Sequence, residues 1–209
     1  MFKKLILIAS SWLLFNFCDA KKLVNLKQFI PTIEIELKYA TKANFTKQQV
    51  YNFKTCYVLE DVAVALKQVQ AALAIKNLGL KIWDGFRPRQ AQIKFWQICP
   101  DERYVSNPYT KLGRHTRGTA IDVTLIDLKT KIELIMPTEF DDFSVKAAPD
   151  YVGPEISELA IKNRAILKQV MYEHSFTNYL TEWWHFDYAG WENCAPLDLE
   201  PQDQDIIEI

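Results

Sequence analysis

Gly113-Arg114-His115-Thr116-Arg117-Gly118-Thr119-Ala120-Ile121-Asp122-Val123-Thr124-Leu125-Ile126 is the stretch on which the fold turns. From Thr119 to Ile126 the residues alternate. Ile121, Val123 and Leu125 point one way; Ala120, Asp122 and Thr124 point the other. A period of two is the signature of a β-strand. The half before it reads differently. Gly113 and Gly118 bracket a loop, and Gly118 frees the backbone to fold back. A polar loop therefore feeds a strand that carries one carboxylate between small neighbours.

Outward from this strand, helices and strands alternate. Leu59, Val62, Leu66, Val69 and Leu73 recur at steps of three and four, which predicts an amphipathic helix over Leu59–Lys76, stopped by Gly79. Leu80–Trp83 reads as a short strand and Asp84–Pro88 as a turn. Pro88 suits the first position of a helix that runs to about Ile98. Glu155–His174 reads as a second long helix, with His174 complementing the dipole at its end. Trp183–Tyr188 is aromatic-rich and strand-like. Together these elements predict a single α+β domain: a small, mainly antiparallel sheet with packed helices.

The chain has only three histidines. His115 belongs to the opening stretch, and His185 to Glu182-Trp183-Trp184-His185-Phe186-Asp187-Tyr188. With Asp122 and Glu182 they make two imidazoles, one carboxylate and a spare glutamate. That is the inventory of a hydrolytic zinc centre: three ligands, an open position for water, and a base for the water's proton. Each residue alone has a plainer reading. Asp122 could cap a turn or pair with an arginine, and His185 could be hydrogen-bonded within an aromatic core. The coincidence of two half-sites shifts the balance. One difficulty stands in the pattern. Residues three apart on a regular strand face opposite ways. Glu182 and His185 share a site only if Glu182 precedes the strand proper or a bulge re-aims it.

The order His-x-x-Gly-x-Ala-x-Asp, then Glu-x-x-His, with Asp84-Gly85-Phe86-Arg87-Pro88 upstream, resembles the zinc D-alanyl-D-alanine dipeptidases of the VanX type, within the wider group of zinc D,D-peptidases. The resemblance spans nearly the whole chain beyond its first twenty residues. It also takes in Tyr39-Ala40-Thr41 with Asn44-Phe45, and Met136-Pro137-Thr138-Glu139-Phe140-Asp141. It implies one zinc ion held by His115, Asp122 and His185. It further implies Glu182 as general base, Arg87 as the cation that stabilises the transition state, and Asp84 as the residue that orients Arg87. Tyr39 and Asp141 match positions that hold the substrate's ammonium. Alone, Arg87 would read as a surface ion pair and Tyr39 as a core aromatic. Two positions depart from the pattern. Gly113 stands where the family commonly has serine, so a hydroxyl toward the substrate's carboxylate end is missing. Pro137 stands where some members have glycine. The resemblance implies a small D,D-dipeptide substrate. Two alternatives remain: a D,D-carboxypeptidase that trims peptidoglycan stems, and a zinc-stabilised binding protein without turnover.

The ends bound the setting. Residues 1–20 read as a secretory signal: Lys3 and Lys4, an apolar run from Leu5 to Phe17, and Cys18-Asp19-Ala20 as a cleavage site. The run is short for a spanning helix, which needs ~20 apolar residues; an uncleaved anchor is the alternative. Bulky Phe17 argues against a lipid on Cys18. No second long apolar run follows, so an exported, periplasmic protein with a domain over 21–209 is expected. The net charge of −1 and the absence of a basic block argue against nucleic acid as a partner. Cys56, Cys99 and Cys194 remain beyond the signal. An exported protein can pair two of them, and the spacing does not choose which. Oligomeric state is not legible in the sequence.

Overall fold

A computed structural model describes residues 22–111 and 113–201, and the backbone of 206–208. The signal segment and the bond after Ala20 lie outside the described residues. In chain order the elements are β1 (Lys22–Asn25), α1 (Leu26–Phe29), β2 (Glu34–Ile35), β3 (Tyr57–Leu59), α2 (Glu60–Ala74), β4 (Leu78–Asp84), α3 (Arg89–Ile98), β5 (Ala120–Asp127), α4 (Glu158–Glu173), β6 (Phe176–Tyr179), β7 (Glu182–Tyr188) and β8 (Ile206–Glu208). The main sheet has the order β2-β4-β5-β7-β6. Its strands pair antiparallel except for β2 and β4. This is the α+β architecture expected. A second, three-stranded antiparallel sheet, β3-β1-β8, was not.

The expected elements are present with shifted ends. Leu59 closes β3 rather than opening the helix, and α2 begins at Glu60. Gly79 does not stop that helix. Asn77 does the turning, with φ of 58° and its side-chain amide on Asp127 Oδ2 at 2.8 Å. Gly79 lies inside β4, opposite Ile126. A Cβ there would come within 2.6 Å of Leu128 Cδ2, so packing rather than chain reversal requires the glycine. Pro88 is the N-cap of α3, one position before the place expected. The last long helix starts at Glu158, three residues late. Ser157 caps it by accepting a hydrogen bond from the Ala160 amide at 3.1 Å, which satisfies an otherwise unpaired donor.

The alternation of β5 is real, but both its faces are covered. All residues from Ala120 to Ile126 are buried. β5 is the centre of the main sheet, which is why Ala120, Asp122 and Thr124 are as enclosed as Ile121 and Val123. A carboxylate in such a place is costly unless it is paired or coordinates a metal.

Candidate metal centre and substrate cleft

Two irregularities in strand pairing assemble the site. β4 and β5 run in register from Leu78↔Asp127 to Ile82↔Val123, then shift so that Asp84 faces Asp122. One extra residue, Trp83, is bulged out. β7 pairs with β6 in steady register from Tyr188 to Phe186, then jumps so that Tyr179 faces Glu182. That larger bulge resolves the difficulty of the three-residue spacing. Glu182 belongs to β7, yet its Oε2 reaches to 3.8 Å from His185 Nδ1. Asp122 faces His185 directly across β5 and β7. Asp84, Asp122 and His185 therefore form one row over three strands, and cross-strand partners point to the same face.

His115 enters from the loop. It begins a 3-10 turn, His115–Arg117, closed by Gly118 at φ of 69°. Leu59 donates its amide to the Gly118 carbonyl at 3.0 Å, and a Cβ on Gly118 would meet Leu23 Cδ2 at 2.7 Å. The αL turn expected of this glycine is present.

His115 Nε2 lies 3.1 Å from His185 Nδ1 and 3.3 Å from Asp122 Oδ1; His185 Nδ1 lies 3.1 Å from the same oxygen. The partners on the far side of each ring fix the tautomers. His115 Nδ1 is 2.8 Å from the Gly85 carbonyl, which can only accept. His185 Nε2 is 2.9 Å from Asp187 Oδ1. Both outer nitrogens donate, so in the neutral rings both inner nitrogens present lone pairs toward each other and toward a carboxylate oxygen. Three acceptors converge with no donor among them, and a cation is what such a triangle holds. Tetrahedral zinc with bonds of about 2.0 Å sets its ligands ~3.3 Å apart, and the triangle matches. The electrostatics favour positive charge at this place. Burial works against charge on His185, yet Asp187 and Asp122 outweigh it and push its pKa up to about 10. Burial alone would raise the Asp122 carboxyl; His115 and His185 hold it below the usual carboxylate range. The residues fit zinc.

Arg87, Tyr39, Asp141 and Glu182 line the same cleft, which encloses about 580 Å³ counting space open to solvent, while Asp84 is fully buried and does not line it. Arg87 is held by Asp84, whose Oδ2 accepts from Nε at 3.2 Å and from a terminal nitrogen at 2.8 Å. Tyr51 donates to the other Asp84 oxygen at 3.0 Å. The guanidinium lies 4.7 Å over Phe95 and 5.3 Å over Tyr39, and 4.0 Å from Asp122 Oδ2. Tyr39 donates to Asp141 Oδ1 at 2.9 Å, and the Phe45 amide donates to Oδ2 at 2.9 Å. Asp141 has a left-handed φ of 60°, an uncommon conformation for a non-glycine residue. Burial pushes its carboxyl up to about 7, and burial likewise pushes Glu182 up to about 8.

Asp187, Tyr51 and Gln92 were not picked out from the sequence. Asp187 was visible only as part of an aromatic strand. His174 is structural as expected: its Nδ1 lies 2.8 Å from the Val170 carbonyl at the end of α4. Pro137 is not among the residues that line the cleft. Cys56 and Cys99 are free, so no pair among Cys56, Cys99 and Cys194 forms.

The family model for D-ala-D-ala dipeptidases, Peptidase_M15, matches residues 19–198. The D-alanyl-D-alanine dipeptidase of Escherichia coli (strain K12) is 37% identical over 169 residues, covering 81% of this chain and 86% of that protein. The D-alanyl-D-alanine dipeptidase of Enterococcus faecalis (strain ATCC 700802 / V583) is 28% identical over 180 residues, covering 77% and 88%. That of Streptomyces coelicolor (strain ATCC BAA-471 / A3(2) / M145) is 28% identical over 178 residues, covering 76% and 87%. A match of this extent, laid over a buried triad of converging lone pairs, places the chain in the Peptidase_M15 family of D-ala-D-ala dipeptidases, which are metallopeptidases.

Proposed function

We propose that this chain is an exported zinc dipeptidase that hydrolyses D-alanyl-D-alanine or close relatives. The observation that carries the reading is the convergence of two imidazole nitrogens and the Asp122 carboxylate, beside a buried, uncoordinated Glu182. His115, Asp122 and His185 would hold the ion, one per chain. When bound, zinc lowers the pKa of water toward ~7 and polarises the scissile carbonyl. Glu182 takes the attacking water's proton and delivers it to the leaving amine. Arg87 is a permanent cation beside the triad, aimed by Asp84, and it stabilises the oxyanion. Arg87→Ala is expected to lower kcat by ~100-fold or more. Arg87→Lys recovers only part, because an ammonium cannot reproduce the planar fork. A near-native kcat for Arg87→Ala would remove it from this role.

Tyr39 and Asp141 favour a dipeptidase over a carboxypeptidase. Each Asp141 oxygen accepts one hydrogen bond and keeps another lone pair, and the Tyr39 oxygen can still accept. That is a receptor for an ammonium, which a longer peptide lacks at this position. The deciding experiment compares turnover of D-Ala-D-Ala, its L,L isomer and an N-acetylated tripeptide ending in D-Ala-D-Ala. Cleavage of the free D,D-dipeptide alone supports the proposal; equal cleavage of the acetylated tripeptide gives way to the carboxypeptidase reading, and no cleavage to the binding-protein one.

The same pair predicts a pH profile. Asp141 grips an ammonium only when ionised, and its pKa is about 7. The dipeptide's amine loses its proton above about 8. With free dipeptide, kcat/KM is expected to fall on the acid side as Glu182 and then Asp141 take up protons, from about 8 and about 7, and Asp141→Asn is expected to make that limb shallower while the Glu182 part stays. An unchanged limb in the variant assigns it to another group.

Export rests on Lys3, Lys4 and the apolar run behind them. Among the described residues no helix is long and apolar enough to cross a membrane. Secretion of the full chain, with the mature protein beginning after Ala20, tests it.

A further inference from the structure

The missing side chain of Gly113 leaves a space that another residue fills. A Cβ built on Gly113 would stand 3.3 Å from Ser106 Oγ and 3.5 Å from Ser106 Cβ. Both residues line the cleft beside His115 and Arg114. Ser106 is also braced. Gln92, buried on α3, donates to the Ser106 carbonyl at 2.7 Å while its own carbonyl oxygen accepts from Arg87 at 3.0 Å. The backbone that carries the Ser106 hydroxyl is thus tied to the guanidinium beside the triad. No hydrogen bond to another described residue engages that hydroxyl.

Charge decides which part of a dipeptide meets it. Asp141, whose two oxygens keep lone pairs beside the hydrogen bonds from Tyr39 and Phe45, accepts an ammonium and repels a carboxylate. Arg114 is the cleft's second arginine. It is stacked 4.4 Å over Trp191, with Nε 3.2 Å from Asp187 Oδ2, and it adjoins Gly113. Glu102 also lines the cleft but is exposed.

We propose that Ser106 is a specificity-determining substrate contact: its hydroxyl, set over Gly113 and braced through Gln92, donates a hydrogen bond to the dipeptide's carboxylate beside Arg114. This rests on the dipeptidase reading. It replaces the hydroxyl that Gly113 lacks with one brought from a different segment of the chain, at the same place in the cleft.

The test uses full-length, zinc-loaded protein and three variants: Ser106→Ala, Gly113→Ser, and the two combined. Loss of a hydrogen bond to a charged group raises KM for D-Ala-D-Ala by on the order of tenfold in Ser106→Ala. The effect falls on KM more than on kcat, because the contact is uniform through the reaction. Gly113→Ser alone crowds Ser106 and gains nothing. The double variant has room for the new hydroxyl and recovers most of the lost KM, which a merely structural role for Ser106 does not predict. D-alanyl-D-alaninamide, which lacks the carboxylate charge, loses much less on Ser106→Ala. Thermal melts establish that each variant is folded. If wild-type protein cleaves no D,D-dipeptide, the functional reading fails and takes this proposal with it. If wild-type protein is active and Ser106→Ala keeps its KM, or if the folded double variant recovers nothing, or if the amide suffers the same loss, this proposal alone is overturned.

Discussion

Glu182→Ala is expected to retain stoichiometric zinc and to lose turnover by ~100- to 10,000-fold, or by more if the same carboxylate also protonates the leaving amine. The reason is the division of labour in the geometry. His115 Nε2, His185 Nδ1 and Asp122 Oδ1 approach one another to 3.1–3.3 Å. Glu182 stands outside that triangle, 3.8 Å from the nearest ligand nitrogen. It is close enough to reach a water bound beside the ligands and too far to be one of them. Glu182→Gln keeps the shape and removes only the basicity, so it is expected to fail as badly as alanine. Zinc content and turnover must be read on the same preparation. A metal-free Glu182→Ala protein would make Glu182 a ligand, and near-native turnover would give the base to another group.

Most of the candidate site was legible because its parts are local. His115 and Asp122 belong to one loop and strand, and Glu182 and His185 to one aromatic segment, so two short patterns carry four residues. Their meeting was not legible. It depends on the bulge at Trp83, which brings Asp84 opposite Asp122, and on the jump in β7 pairing that turns Glu182 toward His185. Neither displacement leaves a mark in the hydrophobic alternation, because all of Glu182–Phe186 is buried whichever way each residue points. The second sheet was missed for a related reason. β1, β3 and β8 have only three or four residues each, too few for a period of two to stand out, and their pairing joins segments far apart in sequence. Helix ends shifted where a side chain outranked a general rule: Ser157 as cap, Asn77 as the left-handed residue, Gly79 as a packing glycine. Gln92 and Ser106 lay beyond sequence reading altogether, since their roles exist only through distances to Arg87 and Gly113.

His185→Ala is expected to bind zinc poorly and to show no measurable turnover, the largest loss of all. Two acceptors remain of a triangle built for three, and the protein sites of catalytic zinc supply three ligands. His115→Ala and Asp122→Ala follow by the same argument, although Asp122→Ala also unburdens β5 of a buried charge and can fold well while empty. The informative companion is Asp187→Asn. Asp187 touches no metal position; it accepts from His185 Nε2 at 2.9 Å, with Arg114 Nε 3.2 Å from its other oxygen. An asparagine that turns its amide toward the ring no longer enforces the tautomer whose Nδ1 lone pair faces the triangle. Such partners typically contribute ~10- to 100-fold in metal affinity or activity, so Asp187→Asn is expected to weaken zinc binding in that range and to recover activity at excess zinc, where His185→Ala does not. Zinc titration against a competing chelator gives the affinities. Full zinc occupancy in folded His185→Ala would break the ligand assignment, while an unchanged affinity in Asp187→Asn would leave the ligands standing and show that His185 is oriented by its strand alone.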